Sequence, residues 1–146
     1  MRYPTVDMAI NFSAFINKNF LYAIVGASPQ REKYGNIVLR NLGDAGYNVV
    51  GVNPKQTTIE GYPTYPALAD IPKKPDVAVF VVPPDIGLRL LDDVQRSHIK
   101  KVWFQPGAES EEIRLKAKTL GLDVVADGSC IMVVRRGIEH QKNAAA

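Results

Sequence analysis

Short apolar runs alternate along this chain with longer segments whose apolar residues recur every three or four positions. Leu21–Val25 (LYAIV) is apolar throughout and closed by Gly26-Ala27-Ser28-Pro29, which fits a buried strand. From about Lys33 to Ala45, the residues Tyr34, Ile37, Val38, Leu42 and Ala45 form a helical stripe, and Gly46 supplies the stop. Asn48–Val52 (NVVGV) reads as a second strand, closed by Asn53-Pro54-Lys55. The clearest strand is Asp76–Val82 (DVAVFVV). Pro83-Pro84 end it and open a helix running to roughly Arg96, with Ile86, Leu90 and Val94 on one face. Lys101–Phe104 (KVWF) follows as a strand, broken by Gln105-Pro106-Gly107. The next helix, about Ser110 to Leu120, starts with Glu109, Glu111 and Glu112 and ends with Lys116 and Lys118, matching the helix dipole. Gly121 stops it, and Leu122–Ala126 (LDVVA) is a last strand.

The remaining stretches are less regular. Asp7 to Asn19 places Met8, Phe12, Phe15 and Ile16 at helical spacing, with Thr5 or Asp7 able to cap the helix. Gln56–Pro75 reads as a connection with a short strand near Gly61–Thr64 and one helical turn at Ala67–Asp70. Cys130–Val134 is apolar and fits either element, and His140–Ala146 is expected to fray. Apolar strands separated by amphipathic helices require a mainly parallel sheet covered on both faces. The expected fold is therefore α/β, a doubly wound, Rossmann-like three-layer sandwich. Residues 1–146 are read as one domain with its core at about 13–135, without an internal repeat.

Composition narrows the classes without naming a function. Hydrophobic residues make up 46% and charged residues 23%, as in ordinary globular chains. No apolar run approaches the roughly 20 residues that a membrane helix needs. The opening MRYPTVDMAINF lacks the apolar stretch of a secretory signal, so a cytoplasmic location is expected. One cysteine and two histidines argue against a disulfide and against structural zinc. The net charge of +3 allows an anionic ligand, and no basic stripe interleaved with aromatics suggests nucleic acid.

In a doubly wound sheet, ligands bind beyond the carboxyl ends of the strands. The residues there are Gly26-Ala27-Ser28, Asn53-Pro54-Lys55, Val82-Pro83-Pro84 and Gln105-Pro106-Gly107-Ala108. The first loop fails the dinucleotide fingerprint: G-x-G-x-x-G from Gly26 would need glycines where Ser28 and Arg31 stand. Asn53 also stands where an acidic residue would hold a ribose hydroxyl. The loop still suits a phosphate, since small residues before a helix offer free N–H groups and the positive helix end. Ser28 adds a hydroxyl, Arg31 and Lys33 add charge, and Lys55 puts a cation where an adenosine ribose would lie. A ribose bearing an extra phosphate, as in coenzyme A or NADP, suits a lysine there better than a carboxylate.

YAIVGAS with R-x-K-x-G downstream, VVGVNPK, GYPTYP, DVAVFVVPP, VWFQPGAES and GLDVVADGSC occur in this order between Tyr22 and Cys130, within a resemblance that covers about residues 13 to 135. Together they resemble the small CoA-binding domain proteins, similar to the N-terminal CoA-binding domain of the succinyl-CoA synthetase α subunit. The resemblance implies that Gly26, Ala27 and Ser28, with Arg31 nearby, hold the pyrophosphate. It implies that Asn53, Pro54 and Lys55 approach the adenosine and its phosphate. Val82, Pro83 and Pro84 would cover the adenine side or the approach of the pantetheine, and Gln105, Pro106, Gly107 and Ala108 would face the pantetheine arm. Succinyl-CoA synthetases add a second domain with a phosphorylated histidine. Neither His98 nor His140 stands where that motif would put it, so binding of CoA is implied and ligation is not.

Structural readings compete for several of these residues. Trp103 is most simply core, Arg135-Arg136 a solvated pair open to a partner, and Cys130 a small buried hydrophobe with no histidine placed to activate it. A mixed disulfide between Cys130 and the CoA thiol is the chemical alternative. The expected function is non-catalytic binding of coenzyme A or acyl-CoA as a carrier, sensor or regulator, with no catalytic residues and no metal. The alternatives are an NADP-linked enzyme, a CoA-transferring subunit that needs a partner chain, and a protein-interaction module. A protein partner or a homo-oligomer is compatible with each.

Overall fold

Leu21–Val25 and Val77–Phe80 are buried along their whole length, so these segments need strand neighbours on both edges and cover on both faces. The computed structural model describes residues 10–145. Its strands are β1 (Leu21–Val25), β2 (Asn48–Val52), β3 (Thr58–Ile59), β4 (Tyr62–Tyr65), β5 (Val77–Phe80), β6 (Lys101–Phe104) and β7 (Asp123–Val125). They form one sheet in the order β3-β4-β2-β1-β5-β6-β7. Every pairing is parallel except the β3–β4 hairpin. The helices are α1 (Tyr34–Asp44), α2 (Pro84–Arg96), α3 (Glu111–Thr119) and α4 (Ile131–Ala145).

The expected α/β sandwich is thus observed, with β1, β2 and β6 falling on the predicted residues. Alternating side chains on each strand feed two cores. Ala23, Val25, Ala78, Phe80, Val102 and Phe104 face α2 and α3, where they meet Leu91, Val94, Ile113 and Ala117. Tyr22, Ile24, Val77, Val79 and Trp103 face the other layer and meet Val38, Leu39, Leu42 and Ile131. Trp103 is fully buried, as expected of core, and its Nε1 donates to the Ser129 carbonyl at 3.0 Å.

The signals at element ends act as their chemistry requires. Pro84 opens α2 at the first position, where no N–H is needed. Ser110 caps α3 by accepting from the Ile113 N–H at 3.1 Å. Gly46 and Gly121 leave α1 and α3 with φ of +97° and +75°, a region glycine enters without strain.

Four expectations need correction. The helix over Asp7–Asn19 is replaced, in its described part, by a single 3-10 turn at Phe12–Phe15, while Asp7, Met8 and the caps Thr5 and Asp7 lie outside the described residues. Phe12 and Phe15 pack on the Trp103 ring with centroids 5.7 Å away, and that contact serves a turn as well as a helix. The buried stripe of α1 runs through Gly35, Val38, Leu39 and Leu42, rotated from the predicted one, so Tyr34 is exposed. The tail expected to fray is helical to Ala145. Arg135, expected to be solvated, has its side chain only 11% exposed; it donates to Asn41 Oδ1 and pairs with Glu139 at 2.9 Å. Tyr47 donates to the other Glu139 oxygen at 2.6 Å, tying α4 to the body of the protein.

Candidate functional site

The chain winds from β1 through β2 to β4 on one side, then returns to place β5 on the other side of β1. Strand order therefore reverses between β1 and β5, and the loops leaving those two strands diverge to opposite faces. That crevice is where an open α/β sheet binds its ligand. Gly26, which follows β1, and Val81-Val82, which follow β5, form its floor. A Cβ on Gly26 would come within 2.3 Å of the Val81 carbonyl oxygen, and Gly26 has φ of +100°. Only glycine fits there.

The β1–α1 turn is pressed against its own helix. A Cβ on Gly35 would lie 1.9 Å from the Gly26 carbonyl oxygen and 3.2 Å from Ala27 Cα. Two glycines nine residues apart thus let the first turn of α1 sit directly behind Gly26-Ala27-Ser28. The unsatisfied N–H groups and positive end of α1 consequently face the strand-end crevice. Ser28 Oγ accepts from the Gln30 N–H at 3.1 Å, and its own hydroxyl proton remains to donate outward.

Side chains tie the loops to one another. Asn53, just beyond β2, donates through Nδ2 to the Ala27 carbonyl at 2.9 Å, and its Oδ1 accepts from the Lys55 N–H at 2.8 Å. Asn53 therefore clamps two of the four predicted loops together. Lys55 and Lys33 are exposed and make no ion pair among the described residues; Lys33 occupies the position before α1. Arg31 pairs with Glu60 at 3.0 Å. Pro83 is exposed, and Val82 and Pro84 are half-buried at the mouth of the β5–α2 loop.

Gln105 behaves differently from a surface ligand contact. It is fully buried, its Oε1 accepts from the Ile131 N–H at 2.8 Å, and its Nε2 donates to Cys130 Sγ at 3.3 Å. Both ends of the amide hold the start of α4. In the same loop Ala108 is buried, while Pro106 and Gly107 are exposed, with φ of +90° at Gly107. The Gly107 N–H donates to Glu109 Oε1 at 2.7 Å.

Three participants escaped the sequence reading. Asn36, fully buried on α1, donates through Nδ2 to the Ser28 carbonyl at 2.9 Å and to Glu60 Oε2 at 3.1 Å, and its Oδ1 accepts from Arg40 Nε at 2.7 Å. Glu60 and Tyr34 are the others. In the sequence Asn36 shows only as a polar residue between Gly35 and Ile37, and its burial follows from the packing of α1. Nothing local marked Glu60.

Cys130 is half-buried rather than a sealed core thiol, and it immediately precedes α4. Burial pushes its thiol pKa up, but donors outweigh that: the Gln105 amide, the Val133 and Met132 N–H groups and the Tyr34 hydroxyl, 3.9 Å away. The net pKa is lower than an ordinary cysteine's. Alkylation by iodoacetamide should accordingly reach half its limiting rate at a lower pH in the folded chain than in urea. A folded-state midpoint equal to or above the unfolded one would contradict this placement. Among the described residues no group of three or more metal-ligating side chains clusters. No helix there is long and apolar enough to cross a membrane.

Strand-end glycines and a helix N-terminus meet at the sheet edge of an α/β domain whose first loop lacks the dinucleotide glycines. The chain belongs to the CoA binding domain family, whose model matches residues 21–136. It is 37% identical over 78 residues to acetate–CoA ligase (ADP-forming) I of Archaeoglobus fulgidus, a match covering 53% of this chain and 11% of that protein. The chain thus matches only about a tenth of the length of such curated relatives. Among solved structures, a conserved hypothetical protein from Pyrococcus furiosus is 46% identical with a TM-score of 0.74, covering 78% of this chain and 97% of that one. The dinucleotide-forming acetyl-coenzyme A synthetase 1 of Ca. Korarchaeum cryptofilum is 31% identical with a TM-score of 0.68, covering 81% of this chain and 28% of that one.

Proposed function

We propose that this chain binds coenzyme A or an acyl-CoA at the β1–β5 crevice and works as a carrier, sensor or regulator without catalysing a reaction itself. The observation that carries the reading is the Gly26–Gly35 contact, which brings the positive end of α1 to the same strand-end edge as Arg31, Lys33 and Lys55. A pyrophosphate suits Gly26, Ala27 and Ser28 with Arg31 and Lys33 beside them, since N–H groups and cations together favour a multiply charged anion. Lys55, turned outward beyond β2 on the clamped Asn53-Pro54-Lys55 turn, suits the 3′-phosphate. Val82, Pro83 and Pro84 supply apolar cover for the adenine side or the pantetheine approach. Pro106 and Gly107 supply the exposed surface along the pantetheine arm, with Gln105 and Ala108 shaping that loop from beneath.

The test is a calorimetric titration with CoA, dephospho-CoA and NADP. CoA is expected to bind most tightly. Lys55→Ala should weaken CoA by roughly tenfold and dephospho-CoA by less than twofold, the loss of one charge-assisted phosphate contact. Indifference of the unaltered chain to millimolar CoA would overturn the reading.

The synthetase relatives support a second reading, in which the chain is the CoA-binding part of a ligase and acts with a partner chain. The two readings separate on one assay. The chain alone should release no CoA from acetyl-CoA in the presence of ADP and phosphate, and release on addition of a partner chain would favour the second.

A further inference from the structure

The β3–β4 hairpin turns through two residues, Glu60 and Gly61, with φ of +53° and +81°. Two central residues of positive φ mark the mirror-image hairpin turn, whose first position favours Asn, Asp or Gly. Glutamate has no local hydrogen bond to offer there, and its backbone sits in the left-handed region against the preference of an L side chain. The side chain nevertheless has a destination. Its carboxylate crosses to the start of α1, where one oxygen pairs with Arg31 Nη1 at 3.0 Å and the other accepts from Asn36 Nδ2 at 3.1 Å. The Glu60 side chain is 19% exposed against 65% for Arg31. A tethered anion is thus already seated on one cation of the phosphate edge.

We propose that Glu60 is a specificity-determining residue of this edge: it occupies the Arg31 guanidinium, and a ligand phosphate must take that group from it. The proposal rests on the CoA-binding reading above. Glu60 holds Arg31 through Nη1, so a phosphate that takes both Nη groups of the planar fork competes with it for that donor. A tethered carboxylate competes at high effective concentration. Inorganic phosphate, held by nothing else, competes poorly with it. A pyrophosphate held also by the α1 N-terminus and Lys33, on a ligand whose 3′-phosphate is held by Lys55, competes well. Glu60 therefore sets a threshold that excludes small phosphate anions and admits a ligand with several anchoring points. Stability alone does not account for the residue, since exposed ion pairs contribute little and the turn itself disfavours glutamate.

Titration of CoA and of inorganic phosphate at low ionic strength tests this with Glu60→Gln, Arg31→Gln and the double variant. Glutamine keeps an oxygen for Asn36 and removes only the charge. E60Q should bind CoA roughly three- to tenfold tighter, the scale of relieving one like charge at a protein surface. It should also acquire measurable binding of phosphate. In the Arg31→Gln background the gain should vanish, because nothing is left to release. Glu60→Asn, a better turn residue, guards against a folding artefact and should move affinity in the same direction. Unchanged or weaker CoA binding by both Glu60 variants, with unaltered melting temperatures, would overturn the proposal. So would a gain that survives the loss of Arg31. Absence of CoA binding by the unaltered chain would instead refute the CoA reading itself, and this proposal with it.

Discussion

Gly35→Ala is expected to lower stability by about 2–4 kcal/mol and to abolish CoA binding, although alanine is the better helix former. Helix propensity taken alone predicts a gain of about 1 kcal/mol at such a position. The sign reverses because the new Cβ would lie 1.9 Å from the Gly26 carbonyl oxygen and 2.8 Å from the Gly26 carbonyl carbon. Both are backbone atoms of a loop that Asn53 and Asn36 hold from two sides. No flexible side chain can move aside. Either α1 lifts from the sheet, loosening Val38, Leu39 and Leu42, or the β1–α1 turn is pushed out of the crevice. Urea unfolding measures the first outcome and CoA titration the second. A midpoint at or above that of the unaltered chain would show that the close approach does not govern the site.

Asn36→Leu should be nearly as damaging, with a loss of about 2–4 kcal/mol despite the similar size of the two side chains. Asn36 is fully buried and serves three partners: the Ser28 carbonyl, the Glu60 carboxylate and the Arg40 guanidinium. Leucine takes one partner from each of the three, and the cost is largest at the buried Asn36 position itself, where the Ser28 carbonyl loses its donor. The Ser28 loop also loses its tether, so CoA affinity should fall together with stability. Chemical unfolding and calorimetry on the same variant provide the check. A stability within about 0.5 kcal/mol of the unaltered chain would remove Asn36 from its role as the organising residue of the loop.

Much of the fold was legible because strand burial and helix periodicity are local properties. LYAIV, NVVGV and KVWF could be read as strands from apolar content and the Gly, Pro and Asn residues that close them. The two-residue strand β3 was not, since two residues carry no period. The Asp7–Asn19 segment misled because aromatic residues that pack on Trp103 at helical spacing look like one face of a helix. In the tail, the contacts that hold α4 come from Asn41 and Tyr47, more than eighty residues earlier in the chain, so its composition alone suggested fraying.

The candidate site divides along the same line. The sequence by itself determined the parallel sandwich, the four strand-end loops and the absence of the dinucleotide glycines, because each follows from residue type and short spacing. Only the tertiary structure decided that Gln105 turns inward as a brace, that Cys130 meets the Gln105 amide and the Tyr34 hydroxyl, and that Glu60 sits on Arg31. These depend on groups 25 or more residues apart brought within hydrogen-bond reach. A side chain's partner, and with it the charge or proton it carries, is a property of its neighbours in space, and the linear order does not state them.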